Sequence, residues 1–529
     1  MKQIEKKQLQ QWLLLAVCLL CVIVVWIYKY RENYNYLNSN ASWHVLLTVQ
    51  AYDETPASIH KFLPIVSLGD ELDKEIQWAE MVADEQGNYY YTSFSPAGYV
   101  LPYLFFKLFG LDVAEKSLYI FNTMLCCLAL LFTIKLFIDI FGEHLQKWLI
   151  IVLTTMLFAF QTEIMHGMGQ VYWHQSIMQV LLPLQFLCFY HFHEEKKSWK
   201  IGFFILAIIM PYVEWTGFVA NVGFALVLFF RHGIRIQKKD FLWAFLTGIC
   251  TLTALLLLCG HYLLVIDWNE FVCALRDRVM MRTKYASAAL FNLLWGYWKS
   301  FKGLWIVLGI LGCGCVIVHK GVKWLRNVDY MFPMLFVMAF PIIENIAMKE
   351  HATSYTYDRM KLVFPLIFIF FILLCHVLNG RKERSYVALV LVAVISVFTI
   401  KSYTENTEYL WEAPYKETNE ILATYCKGHY HENCVYGLEN AAVRGYANLL
   451  FDRGMYENIE KSELMELVRE RGARYAVLVH AASEPDPANA WNMYAFDRVS
   501  VYDMETGEES LIMVEDGSVV EEIFNEGMY

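Results

Sequence analysis

From Trp12 to about residue 400 the chain returns repeatedly to runs of about 20 apolar residues separated by short polar breaks. A helix rises 1.5 Å per residue, so ~20 residues cross a hydrocarbon core of ~30 Å with every backbone amide bonded inside the helix. Such a chain folds as a polytopic α-helical membrane protein. Eleven spans are expected, at 12–29, 115–138, 148–163, 175–192, 200–213, 216–231, 241–265, 303–320, 328–346, 362–379 and 386–402. The overall balance fits: 57% of residues are hydrophobic and 18% charged, against roughly half and a quarter in a soluble domain.

Past residue 400 the composition turns over. Residues 401–529 hold 10 Lys and Arg against 25 Asp and Glu, a net of −15, which leaves 33 against 28, a net of +5, for residues 1–400. So acidic a portion argues against nucleic-acid binding, which needs basic patches. The chain therefore divides into a transmembrane domain, 1–402, and a soluble domain, 403–529. The soluble part reads as small and mixed α/β, with strands at 433–437 and 473–480 and an amphipathic helix at 462–471. It contains no recognisable catalytic constellation. Ten of the 13 cysteines lie in apolar runs and only Cys273, Cys426 and Cys434 in polar ones. None has zinc-ligand spacing, so no metal ligand set is assigned.

Short Lys/Arg-rich loops mark the cytoplasmic side. The N-terminus, 194–200 (EEKKSWK), 231–240 (RHGIRIQKKD), 319–327 (HKGVKWLRN) and 380–385 (GRKERS) carry that signal. With eleven spans it puts 403–529 outside the cell membrane. The first apolar run lacks a small-residue cleavage site and reads as an uncleaved helix. One apolar stretch, 99–109 (YVLPYLFFKLF), is too short to cross and carries Lys107. It is expected in the plane of the outer interface. Three long outer loops, 30–98, 266–301 and 344–361, gather the polar residues, and loops of that length are usually functional.

The first loop holds Asp53 and Glu54, followed by His60, Lys61 and Phe62. Adjacent carboxylates at a membrane surface suit a general base or a divalent-cation ligand, and equally a solvated acidic turn. The third loop holds Lys349, Glu350, His351, Asp358, Arg359 and Lys361. Its cations suit an anion, or a helix end snorkelling toward water. The 276–284 run (RDRVMMRTK) reads as a solvated amphipathic helix.

Taken in order, these pieces resemble the GT-C superfamily of membrane glycosyltransferases, in particular its protein O-mannosyltransferase and aminoarabinose-transferase branch. The resemblance rests on Tyr52-Asp53-Glu54 in a large loop after the first span, the turn Ser95-Pro96-Ala97-Gly98-Tyr99, and a helix ending Leu108-Phe109-Gly110. It covers roughly residues 10–400. It implies that a carboxylate, Asp53 with Glu54 beside it, deprotonates an acceptor hydroxyl, which attacks the anomeric carbon of a sugar on a polyprenyl phosphate. Cations stabilise the departing phosphate, and the resemblance points to Lys61, His351, Arg359 and Lys361. Relatives often carry a further acidic residue before the fourth span. Here Glu163 and His174 occupy that region, as a second polar site or as structural residues.

The expected function is transfer of a sugar, inverting at the anomeric carbon, from a polyprenyl-phosphate donor to a lipid, glycan or protein acceptor at the outer face. A divalent cation is compatible with this chemistry, and no other cofactor is implied. A transporter or flippase, or a non-catalytic cell-envelope assembly protein, is the alternative. A transporter would place ionisable groups near the bilayer midplane and repeat its two halves, and no internal repeat is visible.

Overall fold

The computed structural model describes residues 2–68, 81–192, 196–233, 235–284, 289–319, 331–378, 385–406, 408–440, 444–482 and 495–525. Most of the basic residues expected inside at 319–327 and 380–385, and part of 194–200, lie outside the described residues. The chain forms two compact units. One contains Met1–Tyr30, Leu118–Gly260 and Arg278–Tyr409; the other contains Arg31–Ser117, His261–Asp277 and Leu410–Tyr529. Composition divides the chain at 402, whereas compactness groups 31–117 and 261–277 with the C-terminal part.

The first unit is helical. Six helices are long and apolar enough to cross a membrane, Gln8–Lys29, Glu115–Phe141, Lys238–Tyr262, Leu290–Ile317, Thr356–Leu378 and Ser385–Glu405. A seventh crossing arises if Lys147–Ala159 and Thr162–Gln170, bent by 69°, act as one. The expected count of eleven is therefore too high among the described residues. The runs at 175–192, 200–213, 216–231 and 328–346 do form helices, His174–Tyr190, Lys197–Val213, Thr216–Phe229 and Met331–Ala347. They have 17, 17, 14 and 17 residues, which gives ~21–26 Å against a core of ~30 Å. Apolar run length overstated them because the runs include turn residues that the helices leave out.

Two local features shape the polar interior. After Lys147–Ala159 the chain turns into a short helix and a π-helix, His166–Gln170. Gly167 there lets the Thr356–Leu362 segment approach, since a Cβ would meet Met360 Sδ at 2.7 Å. Gly296 does the same for Arg359, whose Nη1 lies 2.7 Å from where a Cβ would stand.

The second unit is built on a six-stranded sheet. Its order is Ser518–Asn525, Glu508–Glu515, Phe496–Asp503, Tyr475–Ala481, Cys434–Leu438 and Met455–Glu457. The last three strands are parallel and the first four antiparallel. The expected strands and helix appear as Cys434–Leu438, Tyr475–Ala481 and Lys461–Arg471. The last has a Glu460/Glu463 capping box and a left-handed Gly472, which satisfy both ends of the helix.

The apolar face of this sheet packs on Leu422, Cys426, Ala447 and Phe451 and also on Trp43, from the helix Ser39–Glu54. Trp43 Nε1 donates to Glu115 (2.6 Å), whose other oxygen meets Lys416 Nζ at 2.8 Å. A two-stranded sheet pairs Tyr34–Tyr36 with Leu410–Glu412. The first outer loop is thus part of the same core as the C-terminal domain.

Candidate functional site

The sequence-derived candidates fall into both units. Asp53, Glu54 and Lys61 belong to the second, and Glu163, His174, His351, Arg359 and Lys361 to the first.

In the second unit, Ser39–Glu54 ends at Thr55 because Pro56 cannot continue it. Its last turn leaves Asp53 and Glu54 exposed. Asp53 Oδ1 lies 2.7 Å from Lys107 Nζ, on the helix Ala97–Phe109, which ends at a left-handed Gly110. The ion pair holds the Lys107 ammonium above its ordinary range, chiefly through the hydrogen bond to Asp53.

Between these elements runs the short helix Ala57–His60, followed by Lys61 and Phe62 at φ 49° and 61°. Three hydrogen bonds hold this left-handed pair. Tyr52 Oη donates to Phe62 O (3.0 Å), Phe62 N–H to His60 Nδ1 (2.8 Å) and His261 Nε2 to Lys61 O (2.6 Å). Burial pushes the His60 imidazole down to about 4, so its Nδ1 is free to accept. The Lys61 side chain lines a cavity of about 720 Å³ with Ser58, Asp84, Glu85, Asp267 and Glu270. Among the described residues Asp53 is not in its wall.

In the first unit the Thr356–Leu362 segment is a 3-10 turn, all of it buried. Asp358 accepts from Gln175 Nε2 (2.5 Å) and from His351, and lies 3.6 Å from Lys361. Its backbone carbonyl accepts from Asn345, which also bonds Tyr297 Oη. Lys361 reaches Glu344 at 3.3 Å and Glu214 at 3.8 Å. Those carboxylates are held by Thr216, through its hydroxyl on Glu344 and its N–H on Glu214, both 2.8 Å. Arg359 Nε lies 3.3 Å from Glu163 Oε1, which also accepts from Tyr409 (3.0 Å) and Ser300.

The two cations of the turn, Arg359 and Lys361, therefore face four carboxylates, Glu163, Glu214, Glu344 and Asp358. Burial lowers the His351 imidazole to about 4, and Arg282 and Lys361 push the same way against Asp358. At neutral pH His351 is a hydrogen-bond donor and adds no charge.

Glu163 thus joins the turn through Arg359, whereas His174 sets its Nδ1 against Val213 O at 3.3 Å and is fully buried. Sequence reasoning missed the roles of Glu214, Glu344, Lys107 and Tyr409. Glu344 had a signal, an ionisable residue inside an apolar run. Tyr409 had none. Among the described residues no group of three or more His, Cys, Asp or Glu is placed to hold a metal.

No protein-family model matches the sequence, and no curated protein does. Solved structures do. The chain is similar to the Archaeoglobus fulgidus oligosaccharyltransferase in complex with zinc and sulfate, with a TM-score of 0.55 at 12% identity over 88% of this chain and 68% of that one. For the apo form of the same enzyme the TM-score is 0.54 at 11% identity, over 89% and 69%. ArnT from Cupriavidus metallidurans aligns over 89% of this chain and 93% of its own at 10% identity, with a TM-score of 0.42. The oligosaccharyltransferase likeness establishes the fold, and the GT-C resemblance drawn from the first loop holds at that level.

Proposed function

We propose that this chain is a membrane glycosyltransferase that moves a sugar from a polyprenyl phosphate to an acceptor hydroxyl at the outer face of the membrane. The observation that carries the reading is the buried turn 356–362, where Arg359 and Lys361 sit at the head of the Thr356–Leu378 span. Charges buried in a membrane domain are costly and mark function. A departing lipid phosphate is the anion such a position meets. Arg359 can hold two phosphate oxygens at once, Lys361 adds a point charge, and the neutral His351 can donate a hydrogen bond.

In the proposed step Asp53 takes the acceptor proton. The acceptor oxygen bonds to the anomeric carbon as its bond to the phosphate oxygen breaks, with inversion. Glu54 neighbours the base, and Lys61 is the first-loop cation. The acceptor class is a lipid, glycan or protein. The C-terminal unit lies on the outer side, a placement supported by the basic N-terminus and the 231–240 loop.

One A. fulgidus structure was solved with zinc and sulfate. In this chain no ligand set for a divalent cation is found among the described residues, so the steps rest on its own side chains.

The test is transfer by purified chain from a panel of polyprenyl-phosphate sugars to mixed envelope acceptors. Lipid phosphate released with every donor class absent would end the proposal. One observation favours a transporter instead, the carboxylate-rich network buried in the membrane unit. Uptake of labelled solute by proteoliposomes, with no transfer product, would decide for it.

A further inference from the structure

We propose that the rings of Phe62 and Tyr103 form a stacking platform for a pyranose ring of the acceptor, which makes the acceptor a carbohydrate. The inference rests on reading Asp53 as the base. It starts from an anomaly. Phe62 is a bulky residue at φ 61°, following Lys61 at φ 49°, where side chains other than Gly, Asn and Asp rarely sit. Three hydrogen bonds fix it there, yet its ring gains no burial and stays 37% exposed. Strain of this kind is kept where the geometry is used.

The ring does not stand alone. Phe62 and Tyr103 have centroids 6.4 Å apart and tilted by 51°, and buried Tyr52 backs both, at 5.9 and 5.3 Å. Tyr103 also lies 5.7 Å from Lys107 Nζ, the group that holds Asp53. The platform and the proposed base are therefore joined through one lysine. A pyranose presents a face of C–H bonds with slight positive charge, which suits the negative face of an aromatic ring. Its hydroxyls then meet the polar groups at the edge, here Lys107 and Asp53.

A lipid-facing role is the competing explanation, and the helix argues against it. At 3.6 residues per turn, Leu101, Leu104 and Leu108 make the exposed apolar row of Ala97–Phe109, and Tyr99, Pro102 and Phe106 its buried face. Tyr103 and Lys107, four residues apart, run along the flank between them. An ion pair beside the rings also suits water and hydroxyls better than acyl chains.

The test uses the full chain in lipid nanodiscs and saturation-transfer NMR with methyl glucoside, methyl galactoside, methyl mannoside and methyl N-acetylglucosaminide. At least one should receive saturation, strongest on the C–H protons of one ring face. Phe62→Gly and Tyr103→Leu should each weaken binding about fivefold, the value of an aromatic contact, and Phe62→Trp should retain it. Glycine adopts the left-handed conformation freely, so Phe62→Gly should melt no lower than the parent, which separates a lost platform from a lost fold. No saturation of any of the four glycosides, or a parent-like signal in Phe62→Gly, overturns the proposal. So does quenching of the Phe62→Trp fluorescence by brominated lipid. Transfer by Asp53→Asn is scored separately: near-normal transfer there removes the base, whereas failed saturation alone removes the platform.

Discussion

At the scale of single residues, Asp53 carries the sharpest prediction. Among the described residues it pairs only with Lys107, through Oδ1, which leaves Oδ2 for an acceptor proton. Asp53→Asn should fold normally, as the side chain is exposed, and lower turnover on the order of 100-fold, a usual loss for a general base. Parent-like transfer by Asp53→Asn with none from Glu54→Gln would reverse the assignment. Arg359→Lys keeps the charge but not the fork, so donor KM should rise about tenfold, the difference between paired and single contacts to phosphate. Unchanged KM in steady-state assays would remove Arg359 from the donor site. The carboxylate pair and the cationic loop were legible as residue types in order along the chain. Phe62 was not, because nothing in its identity announces a left-handed backbone, and Glu344 looked like an impurity in an apolar run.

Elements were legible in proportion to how local their cause is. The apolar runs became helices, and the alternating 473–480 segment became a buried strand, Tyr475–Ala481. What local pattern cannot convey is approach between elements distant in sequence. The Thr356–Leu362 turn rests on Gly167 of the π-helix, where an added methyl would press on Met360 and on Tyr357 Cβ. Gly167→Ala should therefore destabilise the fold by about 1–3 kcal/mol, the usual range for overpacking. Met360→Ala should recover part of that loss in a double-mutant cycle of thermal melts, and strictly additive effects would show that the two do not meet. The same part of the molecule sets a pH response. His351 is held near 4 when folded and returns to 6.5 when unfolded, so the unfolded chain binds the extra proton. Its contribution is complete above pH 6.5, declines as pH falls toward 4 and levels off below. Melting temperatures between pH 8 and 4 should follow that course, with a shallower slope in His351→Gln; an identical slope would place the titration elsewhere.

For the molecule as a whole, the membrane class was visible in composition, but the span count was not, since run length does not reveal where a helix stops. The grouping of 31–117 with 410–529 was equally hidden, resting on Trp43 in the core of a domain that begins hundreds of residues later. The outer placement of that unit predicts that Glu466→Cys, an exposed position, reacts in intact cells with a thiol reagent that cannot cross the membrane, on a cysteine-depleted chain. Reaction only after permeabilisation would put the unit inside. The pairing of Tyr34–Tyr36 with Leu410–Glu412 also has a consequence for biogenesis. Ribosomes add about 5–20 residues per second, so the first loop waits tens of seconds for its strand partner while the intervening helices enter the bilayer. Through that interval Trp43 and its apolar neighbours have no sheet to cover them, and the nascent protein is most open to holdases and proteases before its last quarter has been synthesised.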